Sequence, residues 1–553
     1  MIAASLSALA FAATAPEADL ILKNGRIWTG DPQNPWAEAI AIRRNRIIAV
    51  GNNTDVADRA ASDARVIDLA GRLTVPGFND AHVHFTNGAL RLVWADLAGA
   101  CAIDEVQRRI RDYGAAHPHD AWIVGIGWDP SCLPDHRLPG RADIDAAVKD
   151  RGVFISSVDG RTAWVNSKAL QLAGILKGSR FDAAAGKVVL EPSGEPSGIL
   201  RESAQALVRR LIPPPSHEHR LAALEQAVKM AAAFGITSIQ NAGGDEDTLQ
   251  QFEDLDHEHK LTLRVDVALS VPPTATPEFV DHLLELKQLY REPRLHVNGA
   301  EFVMDGTVAA HTAAMLEPYA DEPGVFGKTN WSQDAWEQVL ALCDSGGLQL
   351  WTHAAGDRAV RMALDGYEYV RRVNEPRDPR FRIEHAEVMA AADIPRFARI
   401  GVLASESPIH ADPALLDDWS KAVGPQRLGM AFPWHSLDQA GARLVFSSDW
   451  PTAVSMDPLL GIHCAVNRQT PDGKPPGGWV PSQRVSVETA LRAYTTNGAF
   501  ASFEDRLKGR LRRGMFADLV VLSQNLFEID PRHIARTKVD MTIFDGQVIY
   551  TRQ

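Results

Sequence analysis

The chain has 553 residues, of which 45% are apolar, and its 57 basic and 70 acidic residues give a formal net charge of −13. This length and apolar content allow a large core, enough for a barrel together with a smaller domain. The negative charge would repel a phosphate backbone, so we expect a small-molecule substrate and no nucleic-acid partner. The sequence does not determine the oligomeric state, and a homo-oligomer is one of the alternatives.

Residues 1–15 resemble an export leader. An apolar stretch runs from Ile2 to Ala13, and the segment Ala12 to Ala15 resembles an Ala-x-Ala cleavage site. The stretch is too short to span a bilayer and no other segment approaches 18 consecutive apolar residues, so we expect no membrane insertion. We predict a periplasmic or secreted protein. Because no Lys or Arg precedes the apolar stretch, a cytoplasmic protein is the alternative.

Both ends of the chain contain short apolar runs separated by turn residues. The N-terminal runs are residues 20–23, 40–42 and 47–50, with turns at Asn24-Gly25 and Arg44-Asn45. The C-terminal runs are residues 517–522, 541–544 and 547–550. We predict a small β-sandwich domain built from residues 16–75 and 505–553.

Residues 76–504 are predicted to form an α/β barrel. Eight strand-like runs alternate with helical segments, at residues 73–84, 235–241, 261–268, 297–305, 347–353, 381–385, 401–405 and 443–449. Alternation of this kind favours a parallel (β/α)8 barrel of the TIM type, with its active site at the carboxyl ends of the strands. The stretch 95–220 is too long for a connection, and we predict an inserted subdomain over the barrel mouth.

The four cysteines, at positions 101, 132, 343 and 464, form no Cys-x-x-Cys pair. We therefore expect core thiols, and neither a zinc knuckle nor a disulfide framework.

Several predicted strands end on residues that can bind a metal. His82 and His84 follow the first strand of the predicted barrel and lie two residues apart, so their side chains share a face. Three later runs end at His353, His385 and Asp449. Three further His-x-His pairs, at 117/119, 217/219 and 257/259, lie beside proline or in charged stretches and are interpreted as surface residues. The repeated arrangement predicts a metal site.

The whole chain resembles the amidohydrolase superfamily, in its YtcJ-like branch, which includes N-substituted formamide deformylase. The motifs that carry the resemblance are residues 76–84, 163–170, 305–307, 353–359, 383–386 and 448–451. The resemblance implies a metal site made by His82 and His84 from strand one, His353 from strand five, His385 from strand six and Asp449 from strand eight.

Glu301 departs from the family pattern. Relatives carry Lys-x-x-x-Asp-Gly on the fourth strand, whereas this chain has Glu301 at the lysine position, before Asp305-Gly306. A carbamylated lysine is therefore excluded. Glu301 could bridge two cations, or it could stand behind a single ion as a structural acid.

Imidazoles with a carboxylate suit Zn²⁺, present as one or two ions, which would lower the pKa of a bound water to about 7. We expect Asp449 to accept the proton of the attacking water and pass it to a leaving nitrogen, while His385 or His353 helps to polarise the carbonyl. The predicted function is hydrolysis of an amide, formamide or N-acyl C–N bond in a small molecule. The alternatives are an ester, lactone or cyclic-imide hydrolase, or a non-catalytic metal-binding barrel with a regulatory role. Candidate substrate-binding residues are Trp128, Asp129, Trp164, His311 and His410.

Overall fold

The computed structural model describes residues 17–129, 132–133, 138–158, 160, 162–178 and 187–553. The predicted leader, residues 1–15, lies outside the described residues. None of the described helices has the length and apolar content that a membrane span requires.

The described elements alternate between strands and helices over most of the chain. The strands are β1 (Ala18–Lys23), β2 (Arg26–Trp28), β3 (Trp36–Ala37), β4 (Ala39–Arg43), β5 (Arg46–Gly51), β6 (Ala60–Asp68), β7 (Leu73–Pro76), β8 (Phe78–Val83), β9 (Ala95–Asp96), β10 (Trp122–Trp128), β11 (Gly152–Ser157), β12 (Thr162–Val165), β13 (Lys187–Leu190), β14 (Pro196–Arg201), β15 (Ile236–Gly244), β16 (Arg264–Ser270), β17 (Leu295–Val303), β18 (Gln349–Ala354), β19 (Arg382–His385), β20 (Leu403–Glu406), β21 (Arg443–Phe446), β22 (Leu519–Leu522), β23 (Val539–Phe544) and β24 (Gln547–Thr551). The helices are α1 (Asn53–Ala57), α2 (Phe85–Leu92), α3 (Ile103–Ala116), α4 (Arg141–Asp145), α5 (Ser167–Leu172), α6 (Ala206–Arg209), α7 (His217–Ala233), α8 (Glu246–His257), α9 (Pro277–Leu289), α10 (Gln333–Ser345), α11 (Asp357–Val373), α12 (Ile394–Ile400), α13 (Asp417–Val423), α14 (Trp434–Gln439), α15 (Pro458–Asn467), α16 (Val487–Ala493) and α17 (Thr496–Ala501).

A β-sandwich is built from the two ends of the chain, as predicted. One sheet has the strand order β5-β4-β1-β6, and the other has the order β24-β23-β22-β7-β2-β3. The second sheet joins the termini because β22 pairs antiparallel with β7, with Leu519 opposite Pro76. A single apolar core contains residues from both ends, among them Leu22, Ile42 and Ile543, so neither end can complete the domain alone.

The barrel consists of eight parallel strands that follow chain order, β8-β15-β16-β17-β18-β19-β20-β21. Helices separate successive strands, which confirms the predicted TIM-type architecture. The first and last strands approach one another where Ser448 N–H donates to Asp80 Oδ1 at 2.8 Å and Asp449 N–H donates to the carbonyl of His82 at 2.9 Å. The carboxyl ends of all eight strands therefore meet at one end of the barrel.

A buried arginine connects the barrel to the β-sandwich. Arg264, the first residue of β16, lies 2.8 Å from a carboxylate oxygen of Asp518 and 2.8 Å from one of Asp545. Its guanidinium also stacks on the Phe516 ring at 3.6 Å. The terminal domain is thus joined to the barrel by paired charges as well as by apolar contact.

Residues Thr86–Ala227 form a separate compact unit. Its sheet has the order β13-β14-β12-β11-β10-β9, in which β9, β10 and β11 are parallel and the remaining pairs are antiparallel. Its core includes Ile110, Ile123 and Ile155. The predicted insertion, residues 95–220, falls inside this unit, and its location over the barrel mouth stays a prediction.

The structure corrects the cysteine prediction. Cys101 and Cys132 form a disulfide with a Cα–Cα distance of 5.1 Å, whereas Cys343 and Cys464 are buried thiols, as expected. The sequence separation of 31 residues matches no short motif. The pairing arises because Cys101 precedes α3 and Cys132 follows β10, and the fold of this unit brings the two segments together.

Candidate functional site

The predicted metal-binding residues lie at the carboxyl end of the barrel. His82 belongs to β8, Glu301 to β17, His353 to β18 and His385 to β19. Asp449 follows β21 by three residues. In barrels of this type, side chains from separate strand ends meet there, and the loops after the strands can vary without disturbing the core.

Three side chains form the centre of the site, namely His82, His385 and Asp449. Each offers one ligand atom, and these atoms all lie within 4.8 Å of one another. His82 Nε2, His385 Nδ1 and Asp449 Oδ1 are buried and have no hydrogen-bond partner in the protein. Buried polar atoms left unpartnered are costly, and two imidazoles with a carboxylate are a donor set that suits Zn²⁺. The three side chains therefore fit a divalent cation.

Two of these residues have an unusual backbone conformation. His385 has a φ of 76° and Asp449 a φ of 54°, both in the left-handed region that residues other than glycine rarely adopt. Such conformations are kept where the surrounding structure requires them. Here each marks a sharp turn at the end of a barrel strand.

His84 lies beside this group of three. Its Nε2 is 3.4 Å from Asp449 Oδ1, and its Nδ1 contacts the carbonyl oxygen of Ala242 at 3.2 Å. The carbonyl contact favours a proton on Nδ1, which leaves the Nε2 lone pair facing the carboxylate. His84 is thus placed to act as a further ligand.

Glu301 and His353 lie at the edge of the site. Glu301 is buried, and its Oε1 is 3.8 Å from His82 Nε2. The His353 ring lies 4.6 Å from the His385 ring, while His353 Nε2 contacts the carbonyl oxygen of Gly306 at 3.1 Å. Both residues lie close to the three ligand residues His82, His385 and Asp449, but they do not belong to that set.

The electrostatics of the site are dominated by carboxylates. Burial opposes protonation of His82, but Glu384, Glu301 and Asp449 outweigh it and raise its pKa to about 9. Burial would raise the pKa of Asp449, but hydrogen bonding to His410 and the nearby imidazoles hold it well below its usual value. Burial and the neighbouring His353 lower the pKa of His385. A site with this excess of negative charge favours a cation.

His410 contacts the candidate catalytic carboxylate directly. It lies in a short 3-10 turn, Pro408–Ala411, after β20. Its Nε2 is 3.2 Å from Asp449 Oδ2, and its Nδ1 is 3.4 Å from Glu387 Oε1. Trp419 Nε1 donates to the other oxygen of Glu387 at 2.7 Å. His410 therefore holds one oxygen of Asp449 and leaves the other directed at the metal-binding atoms.

The other predicted substrate-binding residues are His311, Trp128, Trp164 and Asp129. His311 pairs with Asp321 at 2.9 Å in the loop after β17. Trp128 and Trp164 are buried in the core of the unit Thr86–Ala227, with ring centroids 5.5 Å apart, and Asp129 directly follows β10. Contact of these four residues with substrate stays a prediction.

Sequence reasoning missed two acidic residues, Glu384 and Glu387, which flank His385 and Ala386. Glu384 Oε2 lies 3.0 Å from His82 Nδ1, and Glu387 holds His410. The available signal was the acidic Glu384 within the strand predicted at residues 381–385, because an ionised side chain inside a barrel strand needs a partner to be stable there.

Comparisons with known proteins agree with this geometry. The profile of the Amidohydrolase family matches residues 65–550. Protein LONG AFTER FAR-RED 3 of Arabidopsis thaliana is 33% identical over 547 residues, which are 96% of this chain and 92% of that protein. YtcJ of Bacillus subtilis (strain 168) is 27% identical, covering 96% and 99% of the two chains, and N-substituted formamide deformylase of Arthrobacter pascens is 26% identical, covering 97% and 98%.

Among solved structures, an uncharacterised metal-dependent hydrolase from Pyrococcus furiosus superposes with a TM-score of 0.75. It is 28% identical and covers 93% of this chain and 99% of its own. The chain therefore belongs to the amidohydrolase family and, as the sequence predicts, is a metal-dependent hydrolase that acts on carbon–nitrogen bonds.

Proposed function

We propose that the protein hydrolyses an amide, formamide or N-acyl C–N bond of a small molecule, with Zn²⁺ held by His82, His385 and Asp449 and with His84 beside them. The observation that carries this proposal is the convergence of three buried, unpartnered ligand atoms at the carboxyl end of the barrel. The similarity to a protein named N-substituted formamide deformylase supports this class of substrate.

A bound divalent cation would supply Lewis acidity and bring the pKa of a water to about 7. Asp449 accepts the proton of the attacking water and returns it to the leaving nitrogen, because its carboxylate is ionised and lies at the centre of the site. His410 keeps Asp449 oriented through Oδ2. His385, or His353 next to it, contributes to polarising the carbonyl.

The test uses the purified full chain. After the metal is removed with a chelator, we expect hydrolysis of N-substituted formamides and N-acyl amines to be lost and then restored by Zn²⁺. Asp449→Asn, which keeps the shape of the side chain, should lower kcat/KM by at least about 10³-fold. Selective hydrolysis of esters, lactones or cyclic imides would move the assignment to those bonds. Metal binding without turnover of any of these compounds would indicate a regulatory barrel and overturn the proposal.

We also propose that residues 1–15 direct the chain to the periplasm or outside the cell, where it acts on a small-molecule substrate as a monomer or a homo-oligomer. The Cys101–Cys132 disulfide supports export because such bonds persist in oxidising compartments. Cell fractionation and mass spectrometry of the mature N-terminus test this. We expect a start near Pro16, one disulfide and two thiols that react only after denaturation. A cytoplasmic protein that retains Met1 and four thiols would contradict it.

A further inference from the structure

A buried carboxylate supports His82 on the side of the ring away from the candidate metal site. Glu384 Oε2 lies 3.0 Å from His82 Nδ1, and both side chains are almost completely buried. His82 Nε2, on the opposite side of the ring, is 3.7 Å from Asp449 Oδ1. The two nitrogens of His82 therefore face different groups: Nδ1 faces the Glu384 carboxylate, and Nε2 faces the metal-binding atoms.

Glu384 is itself held by an arginine two residues earlier on the same strand. Arg382 Nε lies 2.8 Å from Glu384 Oε1, and Nη2 lies 3.1 Å from Oε2. This two-pronged contact fixes the plane of the carboxylate as well as its position. Because the two residues share a face of β19, their pairing requires no departure from the strand.

Arg382 is fixed from four other barrel strands. Nη1 donates to Gln240 Oε1 at 2.5 Å, and Nη2 donates to the carbonyl of Ala81 at 2.6 Å and to Ser405 Oγ at 2.9 Å. The guanidinium lies 3.7 Å over the Trp351 ring. These contacts come from β15, β8, β20 and β18, so the arginine can turn only if the barrel interior rearranges.

We propose that Arg382 and Glu384 are a positioning pair that sets the tautomer and ring orientation of His82, and thereby the affinity of the site for its cation. This inference depends on the proposed role of His82 as a metal ligand. The physical reason is that a carboxylate at Nδ1 keeps a proton there, directs the Nε2 lone pair at the cation and increases its basicity. A pair with only a structural role would stabilise the barrel without changing metal affinity.

The test compares two buried carboxylates of the barrel unit. Glu384→Gln removes the charge at His82 and keeps the shape of the side chain. The control is Glu504→Gln, since Glu504 is also buried and paired, with Lys508 at 2.5 Å, but lies near His296 and not near the site. Each protein is stripped of metal, checked by circular dichroism and titrated with Zn²⁺ against a competing chelator.

We expect Glu384→Gln to weaken Zn²⁺ binding by about 10- to 100-fold, whereas Glu504→Gln changes only the thermal midpoint of the metal-free protein. Glu384→Asp is the second variant, because it keeps the charge next to Arg382 but withdraws it from His82, and we expect a comparable loss. Unchanged Zn²⁺ affinity in either folded Glu384 variant overturns the inference. Failure of the unaltered protein to bind Zn²⁺ would instead overturn the proposed function.

Discussion

The backbone N–H of Asp449 donates to the carbonyl oxygen of His82 at 2.9 Å. These residues follow the last strand and lie on the first strand of the barrel, so the contact that closes the ring also brings two of the candidate ligands together. Their side chains then meet at 3.7 Å. Closure of the barrel therefore places His82 and Asp449 next to one another.

His410→Gln should reduce turnover while metal binding persists. The imidazole contacts Asp449 Oδ2, and the unpartnered Oδ1 is the atom directed at the candidate metal site. Loss of this contact frees the carboxylate to rotate, and we expect kcat to fall by roughly 10²-fold with little change in bound Zn²⁺. Steady-state kinetics and elemental analysis measure the two quantities. Trp419→Phe, which removes only the donor to Glu387, should have a smaller effect. Loss of metal from His410→Gln would show that the residue acts as a ligand instead.

Glu301→Gln distinguishes the two roles that the sequence leaves open for Glu301, a bridge between two cations and a structural acid behind a single ion. Glu301 Oε1 lies 3.8 Å from His82 Nε2, outside the group of three ligand atoms. We expect the variant to keep one ion per chain at His82, His385 and Asp449, whether the unaltered protein binds one ion or two. Elemental analysis measures the number of metal ions per chain in the variant and in the unaltered protein. A variant that binds no metal would mean that Glu301 is essential to the first ion.

Arg264→Met should destabilise the junction between the barrel and the β-sandwich. It would leave the carboxylates of Asp518 and Asp545 without their buried partner, at a cost of about 3–5 kcal/mol. Urea denaturation followed by circular dichroism measures the loss. The control is Arg294→Met, which affects a partly exposed arginine that also contacts Asp545 and should cost about 1 kcal/mol or less. Equal effects of the two substitutions would contradict the role given to the buried arginine.

Asp457→Asn should stabilise the protein at neutral pH. Burial raises the pKa of Asp457 from 3.8 to about 6, so the folded state favours the protonated form. The stability associated with this group is greatest below about pH 3.8 and is lost as the pH rises through 6. Asparagine has no charge to bury and can still accept the hydrogen bond from the Leu459 N–H that caps α15.

We expect the Asp457→Asn variant to be more stable by about 1–2 kcal/mol near pH 7.5. The difference should disappear near pH 4, where aspartate is protonated in the folded state. Thermal unfolding across this pH range is the measurement. A constant difference at all pH values would exclude titration of Asp457 as its cause.

The sequence predicted the fold, and it predicted that His82, His385 and Asp449 meet at one end of the barrel, because both predictions depend on local patterns. Runs of apolar residues indicated the barrel strands. Because the strands are parallel, metal-binding residues at their carboxyl ends all lie at the same end of the barrel. Pairings between distant segments could not be read in this way. The support of His82 by Glu384 depends on the neighbouring strands, and the Cys101–Cys132 disulfide depends on how the segments around α3 and β10 pack. The contact of His410 with Asp449 likewise requires the turn after β20 to reach the loop after β21.

Both ends of the chain contribute strands to the β-sandwich, so the domain cannot be completed until the second end has been synthesised. Strands β1 to β7 leave the ribosome before the barrel, whereas β22, which pairs with β7, is made after the barrel. Until then the newly made β7 presents an unsatisfied edge and an apolar face, which are features that promote aggregation and attract chaperones. The nascent chain therefore carries this exposed edge and apolar face throughout synthesis of the barrel.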